Sequence, residues 1–95
     1  MTVYVVAQLD VTDPDAYDRY RARFRAVLGK FDGRLLAADE HPKIIEGQWK
    51  REKIVLLSFA DDMAFHRFWQ SPDYLEIVKH RHAGTQGDLL LVKGI

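Results

Sequence analysis

The stretch KIVLLSFAD, Lys53 to Asp61, decides the fold. Its four consecutive apolar residues, Ile54 to Leu57, break the alternation expected of a strand that is covered on one face only. A run of this kind predicts instead a strand, the third of the chain and spanning Lys53 to Phe59, with apolar contacts on both faces. Asp61 is a helix-capping residue, and an amphipathic helix follows it at once. The apolar face of that helix consists of Ala64, Phe65, Phe68 and Trp69.

Upstream of this stretch the sequence predicts a strand, a helix and a second strand. Val3 to Val11 alternates, with every odd position apolar, as in a strand with one buried face. The motif TDPD at Thr12 to Asp15 is a helix start, in which the threonine or the first aspartate caps and the proline occupies the first turn. The helix is predicted to end at a DG pair, with Gly33 in the left-handed conformation. Arg34 to Asp39 is the second strand.

Between the second and third strands, the segment KIIEG at Lys43 to Gly47 is interpreted as a short strand extension. Downstream of the second helix, a serine-proline pair starts another helical run from Ser71 to Arg81. The segment HAGTQGD, His82 to Asp88, is predicted to be a loop. Leu89 to Lys93 is the last strand, apolar on both faces.

The predicted order βαββαβ is the split pattern of ferredoxin-like folds. It corresponds to an α+β two-layer sandwich, in which the helices cover one face of a four-stranded antiparallel sheet. A chain of 95 residues has no room for a second core, so residues 1–95 are expected to form a single domain.

Composition excludes several classes of function. Fourteen basic and fourteen acidic residues cancel, which argues against a dedicated binder of nucleic acid or acidic membranes. The lack of cysteine excludes disulfides and thiolate chemistry and fits a reducing cytoplasm. The N-terminus has no basic segment and its apolar run is too short to span a bilayer, so a cytoplasmic protein is expected. No Gly-rich phosphate loop and no GxSxG elbow occur, and no cofactor is predicted.

The four histidines do not predict a metal site. His41 lies in a predicted turn, and His66 is alone on its helix. His80 and His82 are two residues apart, which on a helix points them about 160° from each other. A helical metal pair is instead separated by three or four residues. These side chains are therefore interpreted as solvated or rim residues, and no metal is predicted.

The apolar runs of the last two strands predict a partner. Two helices cover one sheet face only, so these runs would leave aliphatic side chains exposed on the other face. A second copy packed sheet to sheet, in a C2 homodimer, would cover them. The alternative is that some are edge positions covered by the HAGTQGD loop. A lone tryptophan in a polar loop also packs on a partner or a cleft rim. The residues assigned to the dimer interface are Trp49, Val55, Leu57 and Leu90.

One charged residue lies on a helical face that is predicted to be buried. Arg81 falls within about 60° of Tyr74 on a helical wheel, together with two apolar residues. A buried guanidinium needs a carboxylate, a carbonyl or a bound anion because it cannot lose its proton. In one interpretation Arg81 pairs internally, for instance with Asp10 or Glu46, and closes the helix onto the sheet. In the other it holds a small carboxylate or enolate-like ligand bidentately.

A series of short motifs runs through nearly the whole chain: DGR at Asp32 to Arg34, EGQW at Glu46 to Trp49, Phe59, SPDY at Ser71 to Tyr74, Arg81 and Gly94. With its motifs in this order, the chain resembles the dimeric α+β barrel superfamily, and within it a family of small bacterial domains of unknown function. The chain departs from the family pattern at Arg51, where a proline is usual, and at Lys53, where an arginine is usual. The resemblance implies a homodimer and a small cleft between helices and sheet, but no established reaction.

Two classes of function remain open. One is a cofactor-independent enzyme acting on a small aromatic or enolisable substrate, similar to the isomerases and monooxygenases of the superfamily. In that case Arg81, Tyr74 and Trp69 would bind the ligand. The other class is a non-catalytic dimeric binding or structural module, in which Arg81 makes an internal ion pair. The candidates for hydrogen-bond donor or base in catalysis are Tyr74, Tyr20, Asp10, Glu46 and His82.

Overall fold

The computed structural model describes all 95 residues and contains four strands and three helices. In chain order they are β1 (Val3–Val11), α1 (Pro14–Lys30), β2 (Arg34–Asp39), β3 (Lys53–Phe59), α2 (Asp62–Trp69), α3 (Pro72–Gly84) and β4 (Thr85–Lys93). The strands form one antiparallel sheet in the order β2-β3-β1-β4. The predicted ferredoxin-like α+β fold is thus confirmed. None of the helices has the length and apolar character needed to cross a membrane.

Each helix begins at a capping side chain that the sequence marks. Asp13 accepts hydrogen bonds from the backbone N–H groups of Asp15 and Ala16, at 3.1 and 3.3 Å. Asp61 accepts one from the N–H of Ala64 at 2.8 Å. Ser71 starts α3 in the same way. These bonds satisfy backbone donors that have no partner within the helix, which is why the three helix starts are readable from sequence.

Three local predictions are wrong. The left-handed residue after α1 is Asp32, with φ 57°, and not Gly33. A side chain at Gly33 would instead collide with Leu28, so the glycine serves close packing. The segment KIIEG forms no strand, because residues 40–52 have no regular structure. The predicted loop His82–Asp88 does not exist either, since α3 runs directly into β4 at Thr85.

The direct passage from α3 to β4 has a clear physical cause. The backbone N–H groups of Thr12 and Asp13 donate to the carbonyl oxygen of Gly84, at 2.8 and 3.1 Å. The Thr85 hydroxyl donates to the carbonyl oxygen of Arg81 at 2.7 Å. Carbonyls at the helix end therefore have partners without an intervening turn. Pairing with β1 then begins at Thr85 itself, opposite Val11.

The strand register sorts the side chains onto two faces of the sheet. Val5 is opposite Leu57 and Ala7 is opposite Val55, and this face packs against the helices. On the other face, Val6 lies between Leu56 and Leu90. We call this second surface the open sheet face. It comprises Tyr4, Val6, Ile54, Leu56, Leu90 and Val92.

Candidate functional site

A cavity of about 570 Å³ lies between the helices and the helix-covered face of the sheet. Strands β1 and β3 supply aliphatic side chains to it, and the three helices supply aromatic ones. The aromatic rings that line it are Tyr17, Tyr20, Phe24, Phe65, Phe68, Trp69 and Tyr74. These rings pack on one another, for example Trp69 on Tyr74 with centroids 5.2 Å apart. The cavity therefore has flat π surfaces on several sides.

Arg81 lines this cavity and is 8% exposed. It takes part in none of the ion pairs of the structure. Its Nε is buried without a hydrogen-bond partner. The guanidinium carbon lies 6.0 Å from the ring centres of both Tyr20 and Trp69, so its neighbours are aromatic rings. Such contacts contribute about 0.5–2 kcal/mol, less than the several kcal/mol that burial of a charge costs.

Two tyrosine hydroxyls form a buried pair beside Arg81. The hydroxyl oxygens of Tyr20 and Tyr74 are 3.1 Å apart. Burial, together with the neighbouring Tyr74 hydroxyl, raises the pKa of Tyr20 far above its usual value near 10. Burial therefore favours the protonated form of Tyr20. The pair can offer a hydrogen-bond donor to a ligand oxygen.

Lys53 is a second buried cation of the cavity, and sequence reasoning does not identify it. It is 4% exposed and lies opposite Leu9 on the helix-covered face. Its Nζ donates to Glu40 Oε1 at 3.0 Å and lies 4.8 Å from the ring centre of Tyr17. Strand alternation could have identified it, because Lys53, Val55 and Leu57 are two residues apart in β3 and therefore lie on the same face of the sheet.

The carboxylates proposed as partners of Arg81 lie elsewhere. Asp10 is bonded to Arg51 at 3.0 Å and to the backbone N–H of Glu52 at 2.9 Å. These bonds lower the pKa of Asp10 below its usual value. Glu46 is exposed in the irregular segment between β2 and β3. The predicted internal ion pair of Arg81 with Asp10 or Glu46 is therefore wrong.

The structure brings together only some of the predicted site residues. The ligand-binding set Arg81, Tyr74 and Trp69 lines the cavity, and so does Tyr20. The three candidate bases Asp10, Glu46 and His82 do not line it. No group of three or more His, Asp or Glu side chains is arranged to hold a metal ion. The polar groups available in the cavity are therefore cations, the tyrosine hydroxyls and one carboxylate, that of Asp18.

The residues assigned to a dimer interface fall on different surfaces. Leu90 lies on the open sheet face and is 58% exposed. Trp49 is exposed in the irregular segment between β2 and β3. Val55 and Leu57 instead face the helices, one residue out of phase with the open face. Consecutive apolar residues hide the parity of a strand, so Ile54 and Leu56 are the open-face positions of β3.

The profile of the DUF1330 family, a domain of unknown function, matches residues 2–95. The chain belongs to this family. No functionally curated protein matches it in sequence. The resemblance to small domains of unknown function in the dimeric α+β barrel superfamily is thus confirmed at the level of family and fold.

Solved structures of several proteins share this DUF1330 fold. A protein of unknown function from Rhodopseudomonas palustris superposes with a TM-score of 0.80 at 19% identity, over 99% of this chain and 82% of that one. SnoaB, a cofactor-independent oxygenase from Streptomyces nogalater, superposes with a TM-score of 0.69 at 19% identity, over 99% of this chain and 93% of SnoaB. A dabb family protein with a ferredoxin-like fold from Mesorhizobium loti superposes with a TM-score of 0.70 at 13% identity, over 99% of this chain and 97% of that one. Likeness at these identities establishes the fold alone.

Proposed function

We propose that the cavity binds a small organic anion whose carboxylate or enolate oxygens pair with Arg81. The observation that carries this proposal is a buried guanidinium with no carboxylate partner and an unbonded Nε. A charge in this position is costly unless an anion completes it. Arginine presents its donors as a planar fork, which matches a carboxylate in two parallel hydrogen bonds.

The walls of the cavity favour a planar, aromatic ligand. Rings from all three helices border the space, so a flat aromatic molecule would find aromatic contacts there. The volume of about 570 Å³ falls within the range usual for small-molecule sites. The Tyr20–Tyr74 hydroxyl pair lies next to the guanidinium and could donate to a second ligand oxygen. These features together support an aromatic acid or an enolised aromatic ketone.

Benzoate and its neutral isostere benzamide provide a direct test of the charge. We expect the wild-type protein to bind benzoate about tenfold more tightly than benzamide, measured by NMR titration, because only the acid can pair with the guanidinium. Arg81→Met should abolish this preference. Arg67→Met is the matched control, because Arg67 is an exposed arginine of α2 outside the cavity. Equal affinity of the wild type for acid and amide would contradict the proposal.

A second candidate function is cofactor-independent chemistry on an enolisable substrate. The observation that favours it is the hydroxyl pair beside Arg81, since such donors stabilise a developing enolate oxygen. None of the predicted bases lines the cavity, and the one carboxylate that does, Asp18, is exposed and lies 3.7 Å from Arg21. A substrate acidic enough to arrive as its enolate needs no base from the protein. The enolate carbon would then form a C–O bond to dioxygen and supply the two electrons that reduce it to a peroxide. The enolate oxygen would become a ketone, and the terminal peroxide oxygen would take a proton from solvent.

Oxygen uptake with benzoylacetone, an acidic aromatic diketone, tests this second candidate. An enzyme-dependent rate that falls in Tyr74→Phe while benzoate binding is retained would support catalysis. Uptake no faster than in buffer, by a protein that binds benzoate, would leave the binding function and exclude oxygenation of this substrate class.

We further propose that the protein is a homodimer joined through its open sheet face. Tyr4, Leu90 and Val92 on this face are 37%, 58% and 41% exposed. With the half-buried Val6, Ile54 and Leu56 they form a contiguous apolar surface of a kind that monomers rarely leave in water. Because the surface lies on one face of a single sheet, an identical surface can pack against it about a two-fold axis.

A further inference from the structure

We infer that the ligand of this cavity carries a second anionic group, which binds Lys53 in place of Glu40. The inference rests on the proposed function and narrows its ligand class from aromatic monoanions to aromatic dianions. It concerns Lys53 Nζ and its single hydrogen bond to Glu40 Oε1.

Lys53 and Arg81, the two buried cations among the four that line the cavity, lie on neighbouring rings. The Lys53 ammonium is 4.8 Å from the ring centre of Tyr17, and the Arg81 guanidinium carbon is 6.0 Å from that of Tyr20. These two rings are one helical turn apart on α1 and stack with centroids 6.0 Å apart. A single aromatic molecule lying along the two rings would therefore meet a positive charge at each of them.

Lys53 has capacity for a ligand that its present partner does not use. An ammonium group has three donors, and Lys53 Nζ donates one hydrogen bond within the protein. Its side chain is 5% exposed, so water cannot easily satisfy the remaining donors. A buried charge of this kind gains more from a second oxygen ligand than an exposed one would.

Glu40 is suited to be displaced. Its side chain is 59% exposed, and it follows β2 at the start of the irregular segment. When a ligand carboxylate takes over Lys53, the Glu40 carboxylate can return to water at little cost, whereas Lys53 cannot follow it. The exchange replaces one ion pair by another and leaves no buried charge unpaired. A monoanion on Arg81 would leave the Lys53–Glu40 pair in place, so the exchange selects for dianions.

The test compares benzoate with isophthalate and terephthalate, which add a second carboxylate at two different separations. We expect at least one dicarboxylate to bind the wild type about tenfold more tightly than benzoate, as one additional charge-assisted hydrogen bond allows. Lys53→Met keeps the length of the apolar stem and should remove this gain of the dicarboxylate over benzoate. Glu40→Gln should tighten the dicarboxylate severalfold and leave benzoate unchanged, because it removes the competing carboxylate.

The outcomes separate this inference from the proposed function. If benzoate binding depends on Arg81 but neither dicarboxylate binds more tightly than benzoate, the dianion inference is overturned and the Arg81 site stands. If neither benzoate nor the dicarboxylates bind, both are overturned. If Lys53→Met fails to fold, Glu40→Gln decides: unchanged or weaker dicarboxylate binding in that variant contradicts the displacement of Glu40.

Discussion

At the scale of single residues, we expect Arg81 to lower the stability of the protein in the absence of a ligand. Its burial costs several kcal/mol, and the contacts with Tyr20 and Trp69 offset only part of that. We therefore expect Arg81→Met to raise the free energy of unfolding by about 1 kcal/mol or more, measured in urea without ligand. A structural arginine would give the opposite sign. A clear loss of stability in Arg81→Met would thus return Arg81 to the role of a packing residue.

The hydroxyl pair Tyr20–Tyr74 should behave as a coupled unit. Tyr20→Phe or Tyr74→Phe leaves one buried hydroxyl without its partner, so each should cost about 1–2 kcal/mol in unfolding free energy. The double variant should cost less than the sum, because it removes both polar groups. Tyr17→Phe is the control: Tyr17 is also buried, at 5% exposure, but its hydroxyl makes no hydrogen bond. Strict additivity in the cycle would show that the hydroxyls do not interact.

Helical spacing predicts the inward position of Arg81 but not the identity of its partner. Tyr74 and Arg81 share the buried face of α3 as the wheel requires. Which carboxylate stands near Arg81 depends on how strands and loops converge, and one sequence carries no signal for that. Asp10 illustrates the point, because its partners Arg51 and Glu52 lie about forty positions along the chain. The sequence therefore identifies Arg81 as a buried charge but does not identify the groups that surround it.

At the scale of elements, the β1–β4 pairing depends on a glycine. A side chain at Gly87 would collide with the carbonyl oxygen of Gln8 on the neighbouring strand. We expect Gly87→Ala to lower the free energy of unfolding by about 1–3 kcal/mol. Gly29→Ala is the matched control, since a side chain there meets nothing within 4 Å on helix α1 and should stabilise by about 0.4–1 kcal/mol. Thermal unfolding of the two variants measures both changes in stability, and an equal change in Tm for the two would contradict the close approach at Gly87.

Strand and helix starts were predictable because their signals are local. The strands Arg34–Asp39 and Lys53–Phe59 have the predicted bounds, and Asp61 and Ser71 cap as expected. The α3–β4 junction was not predictable, because the groups that satisfy the helix end come from Thr12 and Asp13, far away in sequence. Gly84 and Gly87 gave that segment the composition of a loop, although both glycines serve close packing.

At the scale of the whole molecule, the order of elements sufficed for the fold, whereas the cavity needed the structure. Six predicted elements in the order βαββαβ leave few ways to cover one sheet face. A cavity, in contrast, depends on where the rings of three helices stop short of filling the layer, which no period in the sequence encodes. The same limit applied to the open sheet face, where consecutive apolar residues in β3 concealed which of them point outward.

If the protein dimerises through the open sheet face, a charge introduced on that face should prevent dimerisation. Leu90 lies on this face, and we expect Leu90→Lys to convert a wild-type dimer at micromolar concentration into a monomer in sedimentation velocity. Two lysines near a two-fold axis would repel each other and would be removed from water without counter-charges. Leu75→Lys is a closely matched control, because Leu75 on α3 is exposed to the same 58% as Leu90 but lies outside the sheet. A monomeric wild type, or equal effects of both substitutions, would show that the open sheet face is not a dimer interface.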